Sequence, residues 1–128
     1  MSVPDNLRYT KDHEWIRVDS STGRVGITQF AADQLGDIVY VDLPAVGIEV
    51  KQFDVIASIE SVKAVSDIYA PVSGKVTVVN ATVVSKPEIV NSDPFGAGWM
   101  FEIALSNPSE SAALLSPADY ESHARSHS

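Results

Sequence analysis

Short apolar stretches rich in Val, Ile and Tyr recur along the chain, each closed by Gly, Pro, Asn or Asp. They run from Glu14 to Val18, Arg24 to Ile27, Ile38 to Leu43, Asp54 to Ser61, Ala64 to Ala70, Lys75 to Val79 and Trp99 to Leu105. Turn signals at such intervals predict a mainly β chain folded as a flattened sandwich or barrel. Ser20 to Gly23 reads as a hairpin turn. Pro44 to Gly47 and Pro71 to Gly74 read as reversals in which Pro presets φ and Gly accepts a positive one. Two segments read as helical. Thr28 caps a short helix through Gln29–Leu35, which Gly36 stops, giving a helix near 28–35. Asn107-Pro108-Ser109-Glu110 and Ser116-Pro117-Ala118-Asp119 both carry start signals, so a tail of two short helices is expected over about 107–124. Leu114, Leu115 and Tyr120 would lay that tail on the β body. The final stretch, Glu121 to Ser128, is polar and predicted to fray.

Composition changes this picture little. At 128 residues, with 45% hydrophobic and 20% charged positions, the chain fits one globular domain over 1–128. Its longest apolar runs, such as Ala81-Thr82-Val83-Val84, fall far short of the ~20 residues of a membrane-crossing helix. The start has neither the basic and apolar regions of a signal peptide nor the Arg and Ser richness of a transit peptide. The expectation is therefore a bacterial cytoplasmic protein, with a mitochondrial matrix location only if a transit peptide has been removed. Charge narrows the partners. Nine Lys+Arg against 17 Asp+Glu give a net charge of −8, which repels nucleic acid and anionic membrane surfaces and suits proteins with positive patches.

No self-contained catalytic site emerges. The absence of cysteine excludes disulfides and thiolate chemistry. His123 and His127 stand at i, i+4 spacing, as metal ligands on a helix face would, but their polar surroundings read as a solvated terminus. His13, beside Trp15, reads as a structural hydrogen-bonding residue. Gly96-Ala97-Gly98 lacks the strand-then-helix context of a phosphate loop and reads as a turn. One segment stands apart. Two strand-like runs meet at Ser61-Val62-Lys63-Ala64 without Gly or Pro, which a type I turn tolerates, and that turn would push Lys63 outward between Glu60 and Asp67. On spacing alone Lys63 is a solvated turn lysine.

The stretch Glu60 to Asp67, followed by Ala70-Pro71-Val72-Ser73-Gly74-Lys75-Val76, closely resembles the lipoylation hairpin of the glycine cleavage system H proteins. Tyr9 to Trp15 is similar to that family's opening motif. Val25 to Thr28, Gln34 to Val39, Val90 to Gly96 and Gly98-Trp99 follow in the family's order, so the resemblance runs from about Tyr9 to Tyr120. It implies a biotinyl/lipoyl-type hybrid fold with lipoic acid amide-linked to Lys63. It further implies a carrier rather than an enzyme. The arm would take an aminomethyl group from glycine decarboxylase, a pyridoxal-phosphate enzyme, and present it to a tetrahydrofolate-dependent aminomethyltransferase. Dihydrolipoyl dehydrogenase would then reoxidise it. A lipoate-attaching enzyme is implied as well, and a monomeric carrier is expected.

In some members of the family the loaded arm folds into a cleft on the carrier. The matching positions here include Glu14 and Gln34, the latter a place where some relatives carry His; Glu14 would pair with the aminomethyl ammonium. The lack of cysteine agrees with redox sulfurs that belong to the arm, since a protein thiol nearby would exchange with its disulfide. Alternatives remain at this point. A lipoyl domain or lipoate-relay protein serving 2-oxo-acid dehydrogenase complexes would share the hairpin, though such domains carry Asp-Lys-Ala at the turn where this chain has Val62 before Lys63. A biotinyl carrier, with Met-Lys-Met there, fits less well, and an unmodified interaction module would need no lysine.

Overall fold

The computed structural model describes residues 3–126. Its strands are β1 (Arg8–Tyr9), β2 (Glu14–Asp19), β3 (Thr22–Ile27), β4 (Ile38–Asp42), β5 (Glu49–Val50), β6 (Val55–Ser61), β7 (Val65–Tyr69), β8 (Gly74–Val79) and β9 (Phe101–Leu105). They form two antiparallel sheets. The larger has the order β1-β2-β3-β9-β8-β5 and the smaller β4-β6-β7, so the expected sandwich forms and neither sheet closes into a barrel. The two sheets bury their inner faces against one another. Ile16, Val25, Val76 and Ile103 from one meet Val41, Ile59 and Ile68 from the other in a single apolar cluster.

Each predicted strand is present, with boundaries moved by a residue or two. The first hairpin is tighter than expected. Thr22 and Gly23 already pair with Asp19 and Val18, so the reversal falls on Ser20 and Ser21, with Ser20 at φ 57°. Gly74 takes φ 156°, and a Cβ there would lie 2.0 Å from the Ala104 carbonyl oxygen; only glycine lets β8 pass β9 this closely.

Helix α1 (Gln29–Leu35) begins as the sequence predicts, with the Thr28 hydroxyl accepting from the Ala31 N–H, and Gly36 ends it at φ 77°. Helices α2 (Ala81–Ser85) and α3 (Glu88–Ser92) were not expected, because Val83, Val84, Ile89 and Val90 carry no helical stop or start signal strong enough to outweigh their branching. Asn80 supplies what is missing. Its Oδ1 accepts from Thr82 N–H while its Nδ2 donates to the carbonyls of Ala97 and Trp99.

The tail holds α4 (Ser109–Ala112) and α5 (Pro117–Ser126). Glu110 does not close a capping box. Its carboxylate accepts from the Ser73 N–H and hydroxyl, tying α4 to the Pro71–Gly74 bend. The expected fraying of Glu121–Ser126 is overturned, since the segment is helical and Ala124 is fully buried. Beneath it lies a second apolar cluster of Tyr9, Trp15, Phe30 and Tyr120. Among the described residues no helix is long and apolar enough to cross a membrane.

Candidate functional site

Strands β6 and β7 form one hairpin, paired from Val55↔Tyr69 to Glu60↔Val65, and Lys63 stands in its connection, exposed. The turn is closed largely by one side chain. Ser61 N–H donates to the Ala64 carbonyl (2.8 Å), while the Ser61 hydroxyl oxygen accepts from the N–H groups of Ala64 (3.0 Å) and Lys63 (3.3 Å). The Ala64 N–H therefore goes to a hydroxyl rather than to the Ser61 carbonyl of a hydrogen-bonded type I turn. Neither Val62 nor Lys63 needs a positive φ. A further bond reaches outside the hairpin, from Val62 N–H to the Asp37 carbonyl (3.0 Å). The backbone at the tip is pinned, and the ammonium it carries has no ion pair among the described residues.

The Lys63 stem leans toward the start of β4. A Cβ built on Gly36 would lie 3.5 Å from Lys63 Cε, ordinary contact distance, which places the lysine stem beside this helix end. The β4–β6 ladder shifts register between Ile38 and Tyr40, and this bulge turns both Val39 and Tyr40 outward.

Beside the hairpin runs a cleft of about 490 Å³. Phe30, Gln34 and Leu35 of α1 form one wall, Ser66 of β7 another, Asp12 and His13 a third, and His123 of α5 closes an end. Gln34 is exposed there. Glu14 is not among the lining residues. It is fully buried, with one carboxylate oxygen accepting from the Thr10 hydroxyl and the other from the Tyr69 N–H (3.1 Å), so it joins β2 to the edge of β7. Burial pushes its acid up to about 7 against the pull of those two hydrogen bonds. The carboxylate that meets solvent at the cleft is Asp12, which the sequence does not single out.

His13 has the structural role expected of it. Its Nδ1 lies 2.8 Å from the Tyr120 hydroxyl, which is also 2.7 Å from the Thr28 hydroxyl that caps α1. Burial holds the Tyr120 hydroxyl neutral, with its pKa raised to about 12. His123 Nε2 donates to the Lys11 carbonyl (2.8 Å). His127 lies outside the described residues, and among the described residues no three His, Cys, Asp or Glu side chains gather as metal ligands would.

Residues 7–127 match the family model described as glycine cleavage H-protein. The chain is 54% identical over 119 residues to the glycine cleavage system H protein of Carboxydothermus hydrogenoformans, covering 93% of this chain and 92% of that protein. It is 52% identical over 118 residues to the probable glycine cleavage system H protein of Haloarcula marismortui, covering 92% and 93%. The crystal structure of a glycine cleavage system H protein from Mycobacterium marinum superposes with a TM-score of 0.87 at 37% identity, covering 94% of this chain and 97% of that one.

Proposed function

The chain belongs to the glycine cleavage H-protein family, and from that premise we propose that Lys63 is the attachment point of a lipoyl arm. The observation that carries the reading is an exposed ammonium with no ion pair among the described residues, held on a turn whose backbone is fixed by Ser61 and by the Asp37 carbonyl. A swinging arm needs a reachable amine on a stiff base, and this tip supplies both. Amide formation removes the ammonium charge and makes an already acidic carrier more negative.

Lipoic acid bound at Lys63 would supply a dithiolane able to carry an aminomethyl group and electrons between glycine decarboxylase, the aminomethyltransferase and dihydrolipoyl dehydrogenase. The protein's own residues position and shield. The cleft beside β7 offers apolar walls, Phe30 and Leu35, for the arm's methylenes, and Gln34 and Asp12 as polar partners for a cation at its end. Glu14, one layer beneath, places negative potential under the cleft whenever it is ionised, and a cation lodged above would draw its pKa down from about 7. The protein acts as a carrier, with the bond-making steps carried out in its partners.

Lys63→Arg tests this reading. Arginine keeps the charge and cannot form the amide. Glycine decarboxylase-dependent exchange of bicarbonate into glycine should fall to background, while unfolding stability stays within ~0.5 kcal/mol, as for other exposed sites. Retained exchange, or a large loss of stability, overturns the assignment of Lys63.

A further inference from the structure

The outer face of the smaller sheet, next to Lys63, has a composition that neither its strand role nor the arm cleft requires. The cross-strand row Tyr40–Glu60–Val65 is exposed throughout, and the next row, Asp42–Ser58–Asp67, places a carboxylate at either side. Val62 is 70% exposed and Val65 68%, on the turn and the strand that follows it. The β4 bulge adds Val39, 53% exposed, to Tyr40. An edge strand that turns two consecutive apolar residues to solvent invites unwanted pairing unless something covers them. Apart from Lys63, no Lys or Arg occurs in 36–42 or 54–69, while Asp37, Asp42, Glu60 and Asp67 do, so the strands and turn of this face carry acidic charge.

We propose that this face, centred on the Val39–Tyr40 bulge, is the docking surface for the enzyme that acylates Lys63, and that this partner presents an apolar shelf rimmed by Lys and Arg. The inference rests on the lipoyl-arm reading of Lys63. It singles out the attaching enzyme on grounds of reach. Enzymes that work at the far end of a finished arm can stand off from the carrier by the length of that arm. The attaching enzyme must bring its reacting carbon to the lysine nitrogen itself, and so must cover whatever surrounds the lysine. Because the Lys63 stem lies along Gly36, the segment an incoming active site meets beside the hairpin is Gly36–Tyr40. The chemistry needs no help from the platform. With an acyl-adenylate donor, lipoate and ATP first give lipoyl-AMP and pyrophosphate. The unprotonated Lys63 nitrogen then attacks the acyl carbonyl, the C–N bond forms as the acyl–phosphate C–O bond breaks, AMP leaves, and the nitrogen's proton passes to solvent. The platform contributes binding alone.

The test uses the full apo chain, an ATP-dependent lipoate ligase, free lipoate and ATP, with lipoylation followed by intact mass. Val39→Ser/Tyr40→Ser should raise the KM for the carrier about tenfold and leave kcat close to wild type, as expected when docking contacts are lost. Val46→Ser, an exposed apolar change in the loop beyond β4, should alter neither. Both variants should melt with the wild type, because the replaced side chains are exposed. Raising ionic strength from about 0.1 M to about 0.5 M more than halves the Debye length and should raise the wild-type KM severalfold. Wild-type kinetics in the bulge variant would overturn the docking surface while leaving Lys63 as the acceptor. A salt-independent KM would overturn the basic-rimmed partner, and failure of the wild type to gain the lipoyl mass at Lys63 would overturn both proposals.

Discussion

Glu14 has two hydrogen-bond donors aimed at its carboxylate and yet sits where water does not reach, so burial and bonding pull its acid in opposite directions and burial prevails. With its pKa raised from the ordinary 4.5 to about 7, the folded protein binds more protons than the unfolded chain between those values. Stability therefore falls as pH rises through that interval and levels off above it, by an amount of order 3 kcal/mol. Glu14→Gln removes the titration and keeps the pattern of the neutral acid, one oxygen accepting and a donor group facing the second partner. The variant's stability should then be nearly flat between pH 5 and 7.5 where the wild type declines, as urea unfolding across that range would show. Parallel profiles would mean that Glu14 is not the group responsible. The exposed place of Lys63 on a hairpin turn was legible in the sequence, because two strand-like runs meet there, whereas its candidacy as the arm's attachment point rests on the family pattern of its flanks. The burial of Glu14 was not legible, because a carboxylate directly before Trp15 reads equally as exposed until Tyr69, 55 residues away, is folded against it.

At the scale of elements, local signals predicted what local forces decide. Thr28 and Gly36 bracket α1 as the residues themselves demand, and the β2–β3 and β6–β7 hairpins follow adjacent runs that alternate or branch as strands do. Helix α2 escaped notice although its cap is the adjacent Asn80, because the branched run Ala81–Val84 reads as strand; the same amide also donates to the carbonyls of Ala97 and Trp99, a distant tie that no local pattern shows. The order of α5 is equally non-local, since a polar segment is held by two residues, Tyr120 and Ala124, that reach the apolar cluster. Tyr120→Phe would take its hydroxyl from both His13 and Thr28, costing each one hydrogen bond, that of Thr28 in a fully buried setting. A loss of about 1–3 kcal/mol is expected, with α5 amides exchanging hydrogen faster than those of the sheets. Uniform exchange across the molecule would contradict a separable tail. Gly74→Val sets a Cβ against the Ala104 carbonyl and should cost more than about 3 kcal/mol or prevent folding, visible as loss of a cooperative thermal transition. A variant that melts near the wild type would show that β8 and β9 can separate cheaply there.

Across the whole molecule, the hairpin that bears Lys63 combines a pinned turn, an outward bulge beside it and exposed carboxylates, while α5 and the second apolar cluster reach the neighbouring cleft through His123 and Phe30. The net charge of −8 pointed to cationic partners without saying which face they meet, and only strand register groups Tyr40, Glu60 and Val65 on one side. The bulge at Val39 is invisible in Ile38-Val39-Tyr40-Val41, an unbroken apolar run that reads as a buried strand. One amine, that of Lys63, is proposed to carry the arm, and the mass of the protein purified from its native cell, with the modified peptide sequenced, checks this at once. The expected mass is that of the chain plus a single amide-linked lipoyl group, mapped to Lys63. An unmodified chain, or a lipoyl group on any other lysine, would contradict it.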